Sequence, residues 1–233
     1  SAMLNDLRHA LRTFARTPAF TIAAILSLGI GIGANTAIFS VVHAVLLKPL
    51  PYANADRLAI LWNRSPGLNI AEDWFSTAQY FDIKNGHSGF ETLAIALGAN
   101  YNLTGSDTEP EHVGAIRVSS NLLPMLGAMP ALGRGLLPEE DGPGRPPVAI
   151  LSHGLWARRY GGDAAIVGRS ITLNGQSFEV VGVMPDGFSL PRDVLPTLGV
   201  AEEGQILLPL PLAANAATVR TREDYNIMGT LKP

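Results

Sequence analysis

Three groups of residues in this 233-residue chain are of types that could do chemistry. Ser152-His153 sets a hydroxyl beside an imidazole, the makings of a nucleophile and its general base. Adjacent side chains seldom face each other, and no GxSxG turn surrounds the serine, so Ser152 reads as the N-cap of a following helix. Glu139-Glu140-Asp141 gathers three carboxylates, which hard cations favour, but without the alternating spacing of a calcium loop; a solvated turn is the expectation. Gly29-x-Gly31-x-Gly33 has the outline of a dinucleotide-binding turn, yet it does not sit between a soluble strand and a helix. It lies inside a long uncharged run. There Gly29 and Gly33 are one GxxxG step apart and Ala37 extends the stripe, the pattern that lets another membrane helix approach closely.

No catalytic residue, metal centre or cofactor site is therefore expected. The chain has no GxxxxGK[ST] loop and so does not bind ATP by that route. It has no cysteine, which rules out disulfides and thiolate metal sites, and its five histidines are scattered. Arg8, Arg12 and Arg16 against Asp6 leave the first 47 residues at +2, so the remainder carries the −5 that brings the whole chain to −3. An acidic remainder without runs of Lys or Arg argues against nucleic acid as a partner. Asn63-Arg64-Ser65 and Asn102-Leu103-Thr104 match glycosylation acceptors, a motif too short to inform.

The uncharged run covers residues 19–47, between Arg16 and Lys48. As a helix it would reach about 43 Å, against roughly 30 Å of hydrocarbon, so it can span a bilayer. Its eight Leu, Ile and Phe residues from Ile22 to Phe39 favour insertion by about 2.4–4.8 kcal/mol. A secretory signal has a much shorter apolar stretch and a small-residue cleavage site, which this run lacks. Ahead of it, Leu4, Leu7, Leu11 and Phe14 share one helical face and the three arginines another, the pattern of an interfacial amphipathic helix. Ser1-Ala2 ahead of Met3 reads as the remnant of a cleaved expression tag. The near-membrane arginines place the N-terminus in the cytoplasm and the long remainder outside, in the periplasm of a two-membrane bacterium. Three segments follow: 1–17, tag remnant and interfacial helix; 18–47, membrane helix; 48–233, external region.

The external region reads as mixed α and β. Strands are expected at 58–62, 90–99, 111–118, 148–151, 206–208 and 226–231. Ser76 and Gln79 have capping-box spacing for a short helix over 77–84, and Ser120 is expected to cap another that ends before Gly127. Residues 148–151 run straight into a helix over 153–160 closed by Gly161-Gly162. The sharpest local signal is Asn174-Gly175 between β-rich runs at 170–173 and 178–181, which specifies a two-residue hairpin turn. Residues 191–204 read as a loop.

Longer blocks carry a resemblance. LGIGIGANTAIFSVVHAVLLKPLPY at 28–52 resembles the first membrane helix and exit of MacB/FtsX-type ABC-transporter permeases, most of all an orphan-permease branch found in acidobacteria and relatives. Further matches are FE at 90–91, NLTG at 102–105, RVSSNLL at 117–123, LG at 126–127, PALGR at 130–134 and PEED at 138–141. LSHGLWARRYGGD at 151–163, VGR at 167–169, LNG at 173–175 and VVGVMP at 180–185 continue them in order. The resemblance implies an α+β fold: an N-terminal transmembrane helix and a MacB-like periplasmic core domain of two lobes, one porter-like and one small and β-rich. It implies a non-enzymatic permease subunit that passes ATP-driven conformational change from a cytoplasmic ABC ATPase to the periplasm, in efflux or mechanotransmission. Partners would be the membrane, that ATPase, other permease helices in a dimer, and a periplasmic adaptor. The sequence departs from the pattern around residues 75–80, lacks a tryptophan often found near 206–209, and ends at Pro233 where relatives continue to further spans, so a truncated external domain is expected. The alternative is a single-pass, membrane-anchored periplasmic binding or adaptor module without transport activity.

Overall fold

The computed structural model describes residues 18–42, 52, 55–65, 67, 69–86, 89–105, 109–188, 190 and 204–233, and it divides into two units, Ser1–Leu50 and Pro51–Pro233. The expected interfacial helix over 1–17, the end of the uncharged run at 43–47 and the loop residues 191–203 lie outside the described residues.

In the first unit, helix α1 runs Pro18–Val42, and its Thr21–Ser40 segment is long and apolar enough to cross a membrane, with a mean hydropathy of 1.9. Proline at the first helical position needs no N–H there. Ile22, Ile25, Leu26, Leu28, Ile30, Ile32, Ile38 and Phe39 are each more than half exposed and lie on all sides of the helix. A helix apolar all round is stable when lipid or other helices surround it, because its backbone is satisfied internally and its side chains gain by leaving water.

The second unit is built on a nine-stranded sheet. Its strands are β1 (Leu58–Leu61), β4 (Phe90–Thr104), β5 (Glu111–Val118), β6 (Leu132–Gly133), β7 (Val148–Leu151), β8 (Ser170–Leu173), β9 (Gln176–Val183), β10 (Ile206–Pro209) and β11 (Asn226–Leu231). A separate hairpin pairs β2 (Asn63–Ser65) with β3 (Ile70–Asp73). The pairings close a ring: β4–β5–β10–β7–β9–β8 and back to β4, where Leu103 meets Leu173 and Thr104 meets Thr172. A closed ring of strands has an inside and an outside, and alternate residues divide between them. Leu103, Val113, Leu151, Leu173, Phe178 and Ile206 fill the inside as one buried cluster. Ile116, Val118, Val148, Ile150, Val181 and Leu207 point outward into a second cluster, covered by helix α3 (Leu122–Leu126). Strands buried on both faces therefore read as unbroken apolar runs, as Val148–Leu151 does.

Beyond the ring, the first half of β4 pairs with β11, and β11 with β1. Helix α2 (Thr77–Asn85) covers this ladder through Tyr80 against Leu93, Ile95 and Ile227. Its N-terminus carries the expected capping box: Gln79 N donates to Ser76 Oγ, and Ser76 N donates to Gln79 Oε1 at 2.8 Å. Thr77 Oγ1 donates to the Ala216 carbonyl at 2.7 Å and fixes the helix to a distant loop. Ring and ladder share β4, so the porter-like and β-rich parts expected from the resemblance would have to share one sheet.

One local feature closes the ring, and another fixes the strand that flanks it. Asn174 and Gly175 both have positive φ, 48° and 80°, as a two-residue hairpin turn between β8 and β9 requires. Asn174 also ties the turn to β4, since its Oδ1 accepts from Asn102 N at 2.8 Å and its own N–H donates to the Asn102 carbonyl at 3.0 Å. On the other side of β9, Gly133 stands opposite Gly182, and a Cβ on Gly133 would lie 2.1 Å from the Val181 carbonyl oxygen, so no larger residue fits that crossing. Asn174→Ala loses the bond to Asn102 N and places a non-glycine, non-Asx residue at positive φ. The expected cost is about 1.5–3 kcal/mol by denaturant unfolding, whereas Asn174→Asp, which keeps the acceptor and tolerates that backbone, loses well under half as much.

Candidate functional site

Ser152 precedes helix α4 (His153–Tyr160), and its Oγ accepts the Leu155 N–H at 3.2 Å, the N-cap role expected of it. His153 turns elsewhere. Its ring stands edge-on to Trp156 at 5.3 Å, and its Nδ1 lies 3.4 Å from Asp186 Oδ1. The structure thus does not bring serine and histidine together as nucleophile and base. The cavity beside Ser152, lined by Met184, Phe188, Leu190, Gly204 and Leu207, has about 20 Å³ of space, enough for one water. Sites for small organic ligands are larger by an order of magnitude.

The carboxylate cluster corrects the expectation of a solvated turn. Residues Pro138–Asp141 form a 3-10 turn in which Glu140 is buried, 7% exposed. Arg134 grips it with two parallel bonds, Nη2 to Oε1 at 2.7 Å and Nη1 to Oε2 at 3.2 Å, and Leu137 N donates to the same Oε2 at 2.8 Å. Asp141 accepts from Ser120 N and, at 2.7 Å, from Ser120 Oγ. Burial pushes its carboxyl up, and the two Ser120 bonds oppose that shift. Ser120 is consequently not the helix cap expected of it: Asn121 precedes α3 and makes no side-chain capping bond. Glu140 and Asp141 are thereby engaged in bracing the loops outside the ring. Among the described residues no three His, Asp or Glu side chains are placed to hold a metal ion.

One ionic cluster had no sequence signal. Glu111, at the start of β5, accepts from Arg158 at 2.6 Å and from Arg159 at 3.1 Å, both on α4. Arg159 is nearly buried and also donates to the Glu109 carbonyl. Its partner in sequence lies 48 residues away, so no local pattern announces the pair. The Arg158 hydrogen bond foremost, with the charge of both arginines, holds the Glu111 carboxyl below its usual range.

On α1, Gly29, Gly31 and Gly33 are open: a Cβ added at any of them meets nothing within 4 Å. Helix geometry places Gly29, Gly33 and Ala37 on one face, and all three are exposed. Thr36, beside them, satisfies its hydroxyl by donating to the Ile32 carbonyl at 2.8 Å.

The chain matches the MacB-like periplasmic core domain family over residues 21–233. No curated protein sequence matches it. Among solved structures it is similar to a domain described as that of a permease protein from Porphyromonas gingivalis, with a TM-score of 0.56 and 17% identity over 79% of this chain and 76% of that one. It is also similar to the extracellular domain of the noncanonic ABC-type transporter YknZ from Gram-positive bacteria, with a TM-score of 0.50 and 14% identity over 76% and 82%. The periplasmic region of MacB from Actinobacillus actinomycetemcomitans gives a TM-score of 0.50 and 12% identity over 75% and 74%. At these identities the likeness is one of fold.

Because the folded Glu111 is more acidic than the unfolded one, its contribution is complete above the unfolded pKa and disappears as pH falls through the folded value. Glu111→Gln should cost about 1 kcal/mol near pH 7 and nothing once both forms are protonated, so the two stability curves converge as pH falls below the carboxylate range in denaturant titrations. Asp141 has the opposite sign. Its protonated form is favoured by folding, so this stabilisation is lost as pH rises through its folded pKa, and Asp141→Asn flattens that part of the curve.

Proposed function

We propose that this chain, which belongs to the MacB-like periplasmic core domain family, carries ATP-driven movement from a cytoplasmic ABC ATPase to the periplasm. Membership makes it a component of an ABC-type transporter permease, anchored in a membrane and bearing an extracellular domain, in a system that works with an ATPase. The finer reading is ours: the N-terminus is cytoplasmic, residues 18–47 form the membrane helix, and residues 48–233 form the periplasmic part. The Gly29, Gly33 and Ala37 face packs against other permease helices, the permease acts as a dimer, and the periplasmic unit meets an adaptor. Output is efflux or mechanotransmission.

The observation that carries this reading is the filled ring. A ring packed solid by Leu103, Leu151, Leu173 and Phe178, beside a cavity that admits one water, supports a part that acts through its surfaces and moves as a body. Ser152 caps α4 and Glu140 and Asp141 brace loops, which supports a mechanical part, and in this reading ATP hydrolysis belongs to the ATPase. The small-residue face supports close helix packing, because its glycines are not demanded by α1 itself.

The test is co-expression with an ABC ATPase encoded beside it, followed by recovery of the complex from membranes and assay of ATP hydrolysis. The ATPase should co-purify with the chain and be stimulated. Gly33→Ile should insert normally and lower recovery of the complex about tenfold. An ATPase that never co-purifies, together with a periplasmic unit that binds a ligand by itself, would instead favour the single-pass binding module.

A further inference from the structure

Asn35 lies in the Thr21–Ser40 segment of α1, about 7 Å from its midpoint along the axis. It is exposed, and its carboxamide has no hydrogen bond among the described residues, whereas Thr36 next to it bonds within the helix. In hydrocarbon an amide left with two donors and an acceptor unmet is costly, so it must find a partner of matching chemistry at its own depth. At 3.6 residues per turn Asn35 points away from the Gly29–Gly33 face, and Leu28, Gly31, Asn35 and Ile38 form a separate seam with three-four-three spacing. Such a seam keeps facing one neighbouring helix, with the bulky Leu28 and Ile38 on either side of the polar residue.

We propose that Asn35 joins two copies of this chain, its carboxamide paired with that of the second copy across a parallel α1–α1 contact. Every copy crosses the membrane in the same direction, so a two-fold axis along the bilayer normal sets residue 35 opposite residue 35 at equal depth. A carboxamide both donates and accepts and is therefore complementary to itself, while the apolar side chains above and below it offer nothing. The small-residue face on the opposite side remains open to a different helix. This inference rests on the membrane reading above and names the partner on one face of α1.

The absence of cysteine makes a direct test simple, because any introduced thiol is the sole one in the chain. Single-cysteine forms of the full chain are placed in phospholipid vesicles at high lipid-to-protein ratio and mildly oxidised. Leu28→Cys and Ile38→Cys should give disulfide-linked dimers, with at least about fivefold less from Ile30→Cys and Gly33→Cys. Adding Asn35→Leu to the Ile38→Cys chain should lower dimer yield about three- to tenfold, and Asn35→Gln should restore most of it. Leucine inserts more readily than asparagine, so that loss does not come from failed insertion. Linking through Gly33→Cys in place of Ile38→Cys, equal linking on all faces, or an Asn35→Leu chain that dimerises undiminished would each overturn the proposal. If the cysteines fail to link while the ATPase still co-purifies, the pairing is wrong and the permease reading stands.

Discussion

The external unit depends on β4 being paired along its length. Fifteen residues of strand extend about 50 Å, far longer than the usual five or six residues, and a strand of that length needs partners throughout or it becomes an adhesive edge. One side is served by β5 from Ala96 to Leu103. The other is served by β11 over the first half and by β8 at the far end. The β8 contact is just two residues long, yet it converts an open sheet into a ring. Asn174 reinforces it with two bonds to the Asn102 backbone, so the closure of a large structure rests on one hairpin turn.

The charged residues extend that constraint outward. The Arg134–Glu140 fork, the Ser120–Asp141 bonds and the Glu111–Arg158–Arg159 cluster each tie a loop or helix to the ring. Arg57 does the same for the edge, bonding to Glu91 and to the Leu231 carbonyl where β1, β4 and β11 meet. Groups that might have suggested chemistry are thereby committed to holding elements in place. In α1 the logic is reversed: nothing charged is present, and its faces differ in side-chain size, a few hydroxyls and a single amide. A closed, filled ring and a helix with distinct faces are the features on which the proposed transmission of movement rests.

What could be read from the sequence follows from how local its cause is. The Asn174-Gly175 turn was legible because positive φ at two successive residues is a property of those residues. The α2 box was legible because Ser76 and Gln79 satisfy each other within one turn. The run 148–151 was legible as a strand, though not its neighbours. Extension of β4 through Asn100 and Asn102 was hidden, since these are poor strand formers held in place by β5. The β2–β3 hairpin, lacking alternation, was hidden as well. Closure of the ring joins residues 70 positions apart and leaves no local trace, while Arg134 and Glu140, only six apart, pair across an irregular loop that no helical or strand spacing marks. The mixed α+β class and the family were legible because long ordered blocks, unlike single contacts, survive in sequence.

The most direct measurement is hydrogen exchange resolved to β4 and β8 in the membrane-embedded chain bound to its ATPase, with and without ATP. If the ring moves as one body, the β4–β8 contact and the β4–β5 ladder stay equally protected in both states, and changes fall outside the ring. Selective loss of protection at Leu103, Thr104 and Leu173 on adding ATP would mean that the ring opens, and would contradict the account.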